Sequence, residues 1–276
     1  MRRYPKGDHD LEIRTLSALI LGTVTLAVTY AGVWSFSIFI AAFGAVMCWE
    51  WGRLVRGVTS DAWLWLHISA TLIASFLTAF GYQFLALGVL GLTSLLLLAA
   101  RGPGGDRLSA LGVLYVGLPV VALIWLRSDA VYGLSAVLFV LVIVWTTDSA
   151  AYAVGRAIGG PKLFPSISPN KTWAGFIGGT VASMVAAAGF AVWLGGTSLV
   201  VVAIVGGLLA IAAQLGDLAE SALKRNFGFK DSSGLIPGHG GLLDRVDGLV
   251  VAAPTAALLA IMTDPNNPGR ALLNWP

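Results

Sequence analysis

Charged residues are scarce in this chain. Only 11% of its 276 residues are Asp, Glu, Lys or Arg, whereas 57% are hydrophobic. So few ionisable groups cannot cover a protein of this size in water, which excludes a soluble globular protein and requires most of the surface to face lipid. The single cysteine, Cys48, excludes an internal disulfide, and its apolar neighbours predict a buried thiol.

Long apolar segments make up most of the sequence. A helix of about 17 to 25 apolar residues is long enough to cross a bilayer. Such segments lie near 14–31, 33–51, 62–79, 83–100, 108–126, 130–158, 172–195, 198–225 and 242–262. We therefore predict an all-α integral membrane protein with about nine transmembrane helices.

The basic residues predict the orientation of these helices. With nine crossings and a cytoplasmic N-terminus, almost all Lys and Arg fall in cytoplasmic loops, and only Arg127 and Arg270 fall on the other side. This distribution follows the positive-inside bias of membrane proteins. We therefore expect a cytoplasmic N-terminus, an extracytoplasmic C-terminus, a polar site on the cytoplasmic side, and a multi-pass location in the inner membrane of the cell.

One stretch, residues 221–247, departs from the apolar background. It combines cations, carboxylates and glycines, namely Lys224, Arg225, Lys230, Arg245, Asp231, Asp244, Asp247, Gly234, Gly238, Gly240 and Gly241. Lys and Arg neutralise phosphate oxygens, carboxylates are hard ligands for divalent cations, and glycines let the backbone approach a bulky anion. A solvated basic loop would explain the cations but neither the carboxylates nor the glycines. The stretch indicates metal-assisted chemistry on a phosphate ester at a membrane surface.

The same stretch resembles the signature of the phosphatidate cytidylyltransferases, also called CDP-diacylglycerol synthases. The fixed positions of that signature are matched here by Ser221, Lys224, Arg225, Lys230, Asp231, Pro237, His239, Gly240, Gly241, Asp244, Arg245 and Asp247. Two further blocks, 148–156 and 168–175, are similar to stretches typical of the family. The last block has Asn170 and Ala174 where the family usually has Lys and Glu, so we assign these two side chains no role.

The resemblance implies a reaction and its partners. The phosphatidate phosphate would attack the α-phosphorus of CTP, giving CDP-diacylglycerol and pyrophosphate. The resemblance also implies Mg²⁺, with a second, monovalent cation as a further candidate, and a homodimer in the lipid bilayer; no nucleic-acid partner is expected. Residues 127–276 are then the catalytic transmembrane region, and residues 1–126 are five N-terminal transmembrane helices with little motif content.

Helical spacing groups the candidate metal ligands. Gln214, Asp217, Ser221 and Lys224 recur at intervals of three and four, so they share one face of the eighth segment. Two or three carboxylates suffice for Mg²⁺, because a nucleotide triphosphate supplies further oxygens. We choose Asp217, Asp244 and Asp247 as metal ligands, with Asp231 as a further candidate. A salt bridge for Asp217 and a helix cap for Asp247 are the structural alternatives.

The remaining candidates bind substrate or steady the transition state. The predicted catalytic residues are Asp217, Lys224, Arg225, Asp244, Arg245 and Asp247. The predicted substrate-binding residues are Ser168, Lys171, Thr172, Ser221, Lys230, Asp231, His239, Gly240, Gly241, Asp148 and Tyr152. Ser168 and Lys171, at the start of the seventh helix, would hold the phosphatidate phosphate. Asp148 either binds metal or links helices through Tyr152, and His239 either donates a proton or bonds a phosphate or the loop. Glu50 is expected at the membrane interface.

Three other functions compete with this interpretation. A CTP-dependent lipid kinase of the polyprenol type would use the same metal and cations but would release CDP instead of pyrophosphate. A CDP-alcohol phosphotransferase would need a multiple-Asp pattern within one helix pair, which this sequence lacks. A transporter would place its ionisable groups near mid-bilayer at broken helices, whereas here they cluster toward one face.

Overall fold

The computed structural model describes residues 8–100, 107–236 and 240–275. These residues form α-helices and one small hairpin. The helices are α1 Asp8–Ala31, α2 Val33–Arg56, α3 Ala62–Ala79, α4 Gln83–Ala99, α5 Arg107–Ser128, α6 Gly133–Ile158, α7 Trp173–Leu194, α8 Leu199–Asn226, α9 Leu243–Thr263 and α10 Pro268–Leu273; the strands are β1 Lys162–Phe164 and β2 Ser168–Thr172.

Each predicted apolar segment overlaps one of the helices α1 to α9. Within the described residues, seven of these helices are long and apolar enough to cross a membrane, and they are α2, α3, α5, α6, α7, α8 and α9. The apolar parts of the other two, Thr15–Ala31 and Gln83–Ala99, are shorter. At 1.5 Å per residue, α4 reaches about 26 Å, a little less than a hydrocarbon core of about 30 Å. The helical membrane fold is therefore confirmed with seven candidate spans.

The hairpin and α10 were not predicted from the sequence. Residues 159–171 lie between the predicted segments 130–158 and 172–195, and within them Lys162 pairs with Thr172 and Phe164 with Ser168 in antiparallel strands. The prediction that Ser168 and Lys171 lie at the start of the seventh helix is wrong, because α7 begins only at Trp173. Thr172 is the residue that caps α7, since its hydroxyl accepts a hydrogen bond from the amide of Gly175 at 3.1 Å.

Close backbone contact joins α6 to α7. A Cβ atom on Gly175 would lie 2.7 Å from the carbonyl oxygen of Ala151, and one on Gly179 would lie 2.9 Å from that of Thr147. Neither approach leaves room for a side chain, so glycine is needed at both positions. The buried hydroxyls of Thr147 and Ser183 share a hydrogen bond of 2.7 Å across the same interface. These contacts fix the distance between α6, which contains the block 148–156, and α7, whose first residues end the block 168–175.

The main hydrophobic core lies around α5, α6, α8 and α9. Ile124, Phe139, Ile143 and Leu209 are fully buried within it. α5 is the most enclosed candidate span, with 72% of its apolar window buried. Because α5 packs against α2, α6 and α9, it connects the N-terminal helices to those that carry the signature.

Asp61 holds the connection between α2 and α3. Its carboxylate accepts hydrogen bonds from Arg56 Nε at 2.9 Å and from the amide of Leu64 at 2.6 Å, so it both pairs with α2 and caps α3. Burial acts to raise the pKa of Asp61, but the bonds from Arg56 and Leu64 outweigh it and hold the pKa below its usual value. This contribution to stability is present at neutral pH and is lost as the pH falls through the lowered pKa.

Candidate active site

A polar cavity opens between α6, the hairpin, α7 and α8. Its volume is about 570 Å³, and its lining includes Asp148, Tyr152, Arg156, Lys162, Lys171, Gln214 and Asp217. The blocks 148–156 and 168–175 thus face the same space as one side of α8. We call this space the polar cavity.

Lys171 and Asp217 form an ion pair inside the polar cavity. The Nζ of Lys171 lies 2.5 Å from Oδ2 of Asp217, and both side chains are about a third exposed, at 27% and 31%. The hydroxyl of Ser221, one turn along α8, donates to Oδ1 of Asp217 at 3.4 Å. Asp217 therefore keeps access to solvent while a cation lies beside it. Lys171 could reach a lipid phosphate only if that phosphate enters the polar cavity.

Asp244 is at the centre of a hydrogen-bond network at the start of α9. Its carboxylate, only 4% exposed, accepts from Lys224 Nζ at 2.6 Å, from the Gly241 amide at 2.7 Å, and from both the amide and the hydroxyl of Ser232. Negative charge in the first turn of a helix is stabilised by the helix dipole. The network fixes α9, α8 and the connecting loop in one arrangement.

Glu50 anchors the same loop from the other half of the chain. This α2 carboxylate is fully buried and accepts hydrogen bonds from the amides of Leu242 at 2.8 Å and Leu243 at 2.7 Å. It also accepts from the hydroxyls of Ser232 and Ser233. These donors satisfy Glu50 inside the protein, so the side chain is not exposed to lipid or water. Glu50 caps α9 by occupying its unpaired N-terminal amides.

The two adjacent glycines of the signature, Gly240 and Gly241, are each required for a different structural reason. Gly240 has φ +80°, a left-handed conformation that favours glycine, and its carbonyl accepts from the Ile236 amide at 2.8 Å. At Gly241 a Cβ atom would collide with the hydroxyl of Ser232 and the carboxylate of Glu50. Both glycines therefore shape the loop that Glu50 and Asp244 hold, independently of any contact with substrate.

Carboxylates outnumber cations where α6, α8 and α9 meet. Asp247 lies close enough to Asp148, Asp217 and Glu220 for electrostatic repulsion. Lys224, which pairs with both Asp244 and Glu220 at 2.6 and 3.3 Å, offsets part of this negative charge. Among the residues that the structure describes, no three Asp, Glu, His or Cys side chains converge into a metal site made by protein alone. Any divalent ion here would need oxygen ligands from substrate or water as well.

The other predicted residues occupy less central places. Arg225, Lys230 and Asp231 are exposed at the end of α8 and on the loop that follows. Ser168, in β2, is not among the residues that line the polar cavity. His239, with Pro237 and Gly238, lies outside the described residues, so its role stays a prediction.

Arg245 is not part of the hydrogen-bond network around Asp244. Its side chain is exposed and lines a second, apolar groove, together with Asp148. Lys171 and Lys224 are committed to carboxylates, whereas Arg245 forms no ion pair with any residue in the described part of the chain. Its guanidinium is therefore available for an anion from outside the protein.

Sequence reasoning missed Glu220 and Ser232, and it noted Glu50 without predicting that it caps α9. A signal existed for the two glutamates, since a lone carboxylate in an apolar helix is costly and indicates a buried partner. The partners of Glu50 could not be predicted, because they lie more than 180 residues away in the sequence. Ser232 gave no signal beyond its place between Asp231 and the glycines.

Known proteins are similar to this chain over most of its length. The sequence profile of the cytidylyltransferase family matches residues 12–262. A phosphatidate cytidylyltransferase of Brucella suis biovar 1 is 41% identical to this chain, over 96% of this chain and 99% of its own length. A phosphatidate cytidylyltransferase of Bacillus subtilis is 33% identical, over 89% of this chain and 96% of its own length.

Replacing Glu50 should loosen the loop. Glu50→Gln keeps one acceptor oxygen but turns an NH₂ group toward donors, leaving buried amides unpaired at a cost of about 1–3 kcal/mol. We expect trypsin to cleave after the exposed Lys230 at least about tenfold faster than in the wild-type protein in detergent.

Asp61→Asn is the matched control, because it removes a carboxylate that caps another helix and does not touch the loop. It should lower thermal stability without changing cleavage at Lys230. Equal cleavage rates for Glu50→Gln and wild type would show that Glu50 does not hold the loop.

Proposed function

Because this chain belongs to the cytidylyltransferase family, we propose that its polar cavity carries out cytidylyl transfer between a nucleotide and a lipid phosphate, together with the loop 227–242 between α8 and α9, here called the signature loop. The enzyme transfers the cytidylyl group of CTP to phosphatidate and releases CDP-diacylglycerol and pyrophosphate. The observation that carries this conclusion is the similarity, over nearly the full length, to phosphatidate cytidylyltransferases.

The chemistry suits the residues that the fold brings together. A phosphate oxygen of phosphatidate forms a bond to the α-phosphorus of CTP, and the bond from that phosphorus to the bridging oxygen breaks, so pyrophosphate leaves with the electron pair. The attacking oxygen is already anionic at neutral pH and needs no strong base. The site must supply positioning and positive charge around the phosphorus.

Cations at three positions can supply that charge. Lys171 lies in the polar cavity beside Asp217, Lys224 lies in the last turn of α8 beside Asp244, and Arg245 lines the apolar groove. The ion pairs hold the two lysines in place before substrate arrives, which lowers the cost of organising them in the transition state. Arg225 and Lys230, exposed nearby, add positive potential that attracts the nucleotide.

The surplus of carboxylates supports a role for Mg²⁺. Asp217 lines the polar cavity with about a third of its side chain exposed, at 31%, and Asp148 and Asp247 lie within electrostatic range of it. Mg²⁺ commonly binds through one or two carboxylates and substrate phosphates, which fits a site without three convergent protein ligands. When bound, Mg²⁺ would neutralise charge on the triphosphate and on the departing pyrophosphate. Asp244 is better suited to holding the loop than to binding metal, since hydrogen bonds already occupy its oxygens.

Further features of the proposal rest on the sequence. Nine spans, a cytoplasmic N-terminus and a site on the cytoplasmic side follow from the distribution of Lys and Arg. The inner membrane follows from the same orientation. A homodimer and a second, monovalent cation rest on the resemblance alone. Each is open to direct measurement, by cysteine labelling, by mass determination in detergent and by cation substitution.

One assay tests the reaction. Purified protein in detergent, supplied with CTP, phosphatidate and Mg²⁺, should release pyrophosphate and form CDP-diacylglycerol in equal amounts. Omitting phosphatidate should abolish release. Formation of CDP without pyrophosphate would instead indicate transfer of the γ-phosphoryl group by a lipid kinase.

Two substitutions should separate the roles of the carboxylates. Asp217→Asn should leave thermal stability close to wild type and lower turnover on the order of 100-fold, since it removes an accessible metal ligand. Asp244→Asn leaves Lys224 without its closest partner and should also destabilise the fold, by about 3–5 kcal/mol. Turnover and thermal unfolding in detergent measure both effects. If Asp217→Asn turned over at the wild-type rate, Asp217 would not be a metal ligand.

The orientation can be tested with single cysteines. Cys48 is the only cysteine and is buried, so Cys48→Ala provides a simple background. Asn266→Cys lies between α9 and α10, and Ser166→Cys lies at the tip of the hairpin; both positions are exposed. In intact spheroplasts, a membrane-impermeant maleimide should label position 266 but label position 166 only after lysis. The reverse pattern would invert the proposed topology.

A further inference from the structure

A second, apolar groove lies beside the polar cavity, on the other side of α6. Its volume is about 480 Å³, and its sides come from α1, α2, α6 and α9, with Leu123 of α5. Val137, Leu141, Val144 and Asp148 follow one another along α6 at intervals of three and four, so one face of this helix lines the groove. At 1.5 Å per residue that face extends about 16 Å from Val137 to Asp148.

The two ends of this groove differ in chemistry. Toward Val137 the lining is hydrophobic, with Phe36, Ile40 and Leu141 among its residues. At the opposite end are Arg245 and Asp148, which attract each other electrostatically. A cation at the end of a long apolar groove matches an amphiphile with an anionic head and hydrocarbon tails.

Asp148 lies at the boundary of both spaces. It lines the polar cavity, where Lys171 and Asp217 are found, and it also lines the apolar groove. A phosphate held by Arg245 at this end of the groove would therefore lie next to the polar cavity. Attack on the α-phosphorus of a nucleotide requires that kind of proximity between the two substrates.

We propose that this apolar groove binds the acyl chains of phosphatidate, with the lipid phosphate at Arg245, at the end of the groove next to the polar cavity. The assignment rests on the proposed function and adds the place of the lipid substrate to it. Hydrocarbon gains little free energy on moving from a bilayer into an apolar groove. The groove therefore orients the lipid, and Arg245 supplies recognition of the phosphate.

Gly22 of α1 offers a way to fill the groove without disturbing the fold. It lines the groove, and a Cβ atom added there would meet no heavy atom within 4 Å. Gly189 of α7 is the matched control, since it is also a helical glycine with open space at its Cβ position, but it does not line the groove. The same substitution at both sites changes helix propensity equally.

Gly22→Phe should raise the KM for long-chain phosphatidate about tenfold or more while leaving the KM for CTP within about twofold of wild type. Gly189→Phe should change neither value. Unchanged KM values in Gly22→Phe would overturn the assignment of the groove. A wild-type enzyme that released no pyrophosphate would overturn the proposed reaction instead, and the groove would then be decided by the following experiment.

Photolabelling locates the lipid without requiring turnover. A phosphatidate with a diazirine in one acyl chain should label peptides from α1, α6 and α9 in the wild-type protein. Unlabelled phosphatidate should compete for this labelling better than unlabelled diacylglycerol, because Arg245 recognises the phosphate. Labelling should fall in Gly22→Phe and persist in Gly189→Phe. Labelling spread evenly over the lipid-facing helices, or unaffected by Gly22→Phe, would overturn the proposal.

Discussion

The buried carboxylate of Glu50 is the interaction on which the active site depends. An unpaired charge in an apolar helix would be too costly to keep, and the signature loop provides the donors that satisfy it. In return, the carboxylate satisfies amides at the start of α9 that would otherwise be unpaired. The N-terminal helices therefore contribute to the active site, because Glu50 of α2 stabilises the conformation of the loop that precedes α9.

Negative charge is the second constraint on the site. Carboxylates from α6, α8 and α9 lie within electrostatic range of one another, and burial of Asp247 makes the repulsion on it stronger than in water. Lys171 and Lys224 relieve part of this repulsion, and a bound cation would relieve more. The fold tolerates this charge because the hydrogen-bond network at Asp244 and the close contact between α6 and α7 resist separation of the helices.

Sequence patterns predicted the helices well and the contacts between them poorly. Apolar segment length is a local property, so α8 matched its predicted segment within one residue at each end. The hairpin that carries Lys171 is short and polar, and without a periodic pattern it could be read only as a loop. Helical spacing correctly placed Gln214 and Asp217 on one face, since both line the polar cavity. That Asp244 binds Lys224 and Ser232 is a property of the tertiary structure, which spacing within a helix cannot give.

The position of Asp148 on the boundary of both spaces has a consequence for the order of substrate binding. A water-soluble nucleotide can enter the polar cavity without passing through the apolar groove, and on the proposed assignment the lipid can enter the groove without passing through the polar cavity. Neither substrate then blocks the path of the other. Because the two entrances are separate and meet only at Asp148, neither substrate has to bind first. The complex with nucleotide alone and the complex with lipid alone can therefore both proceed to the ternary complex.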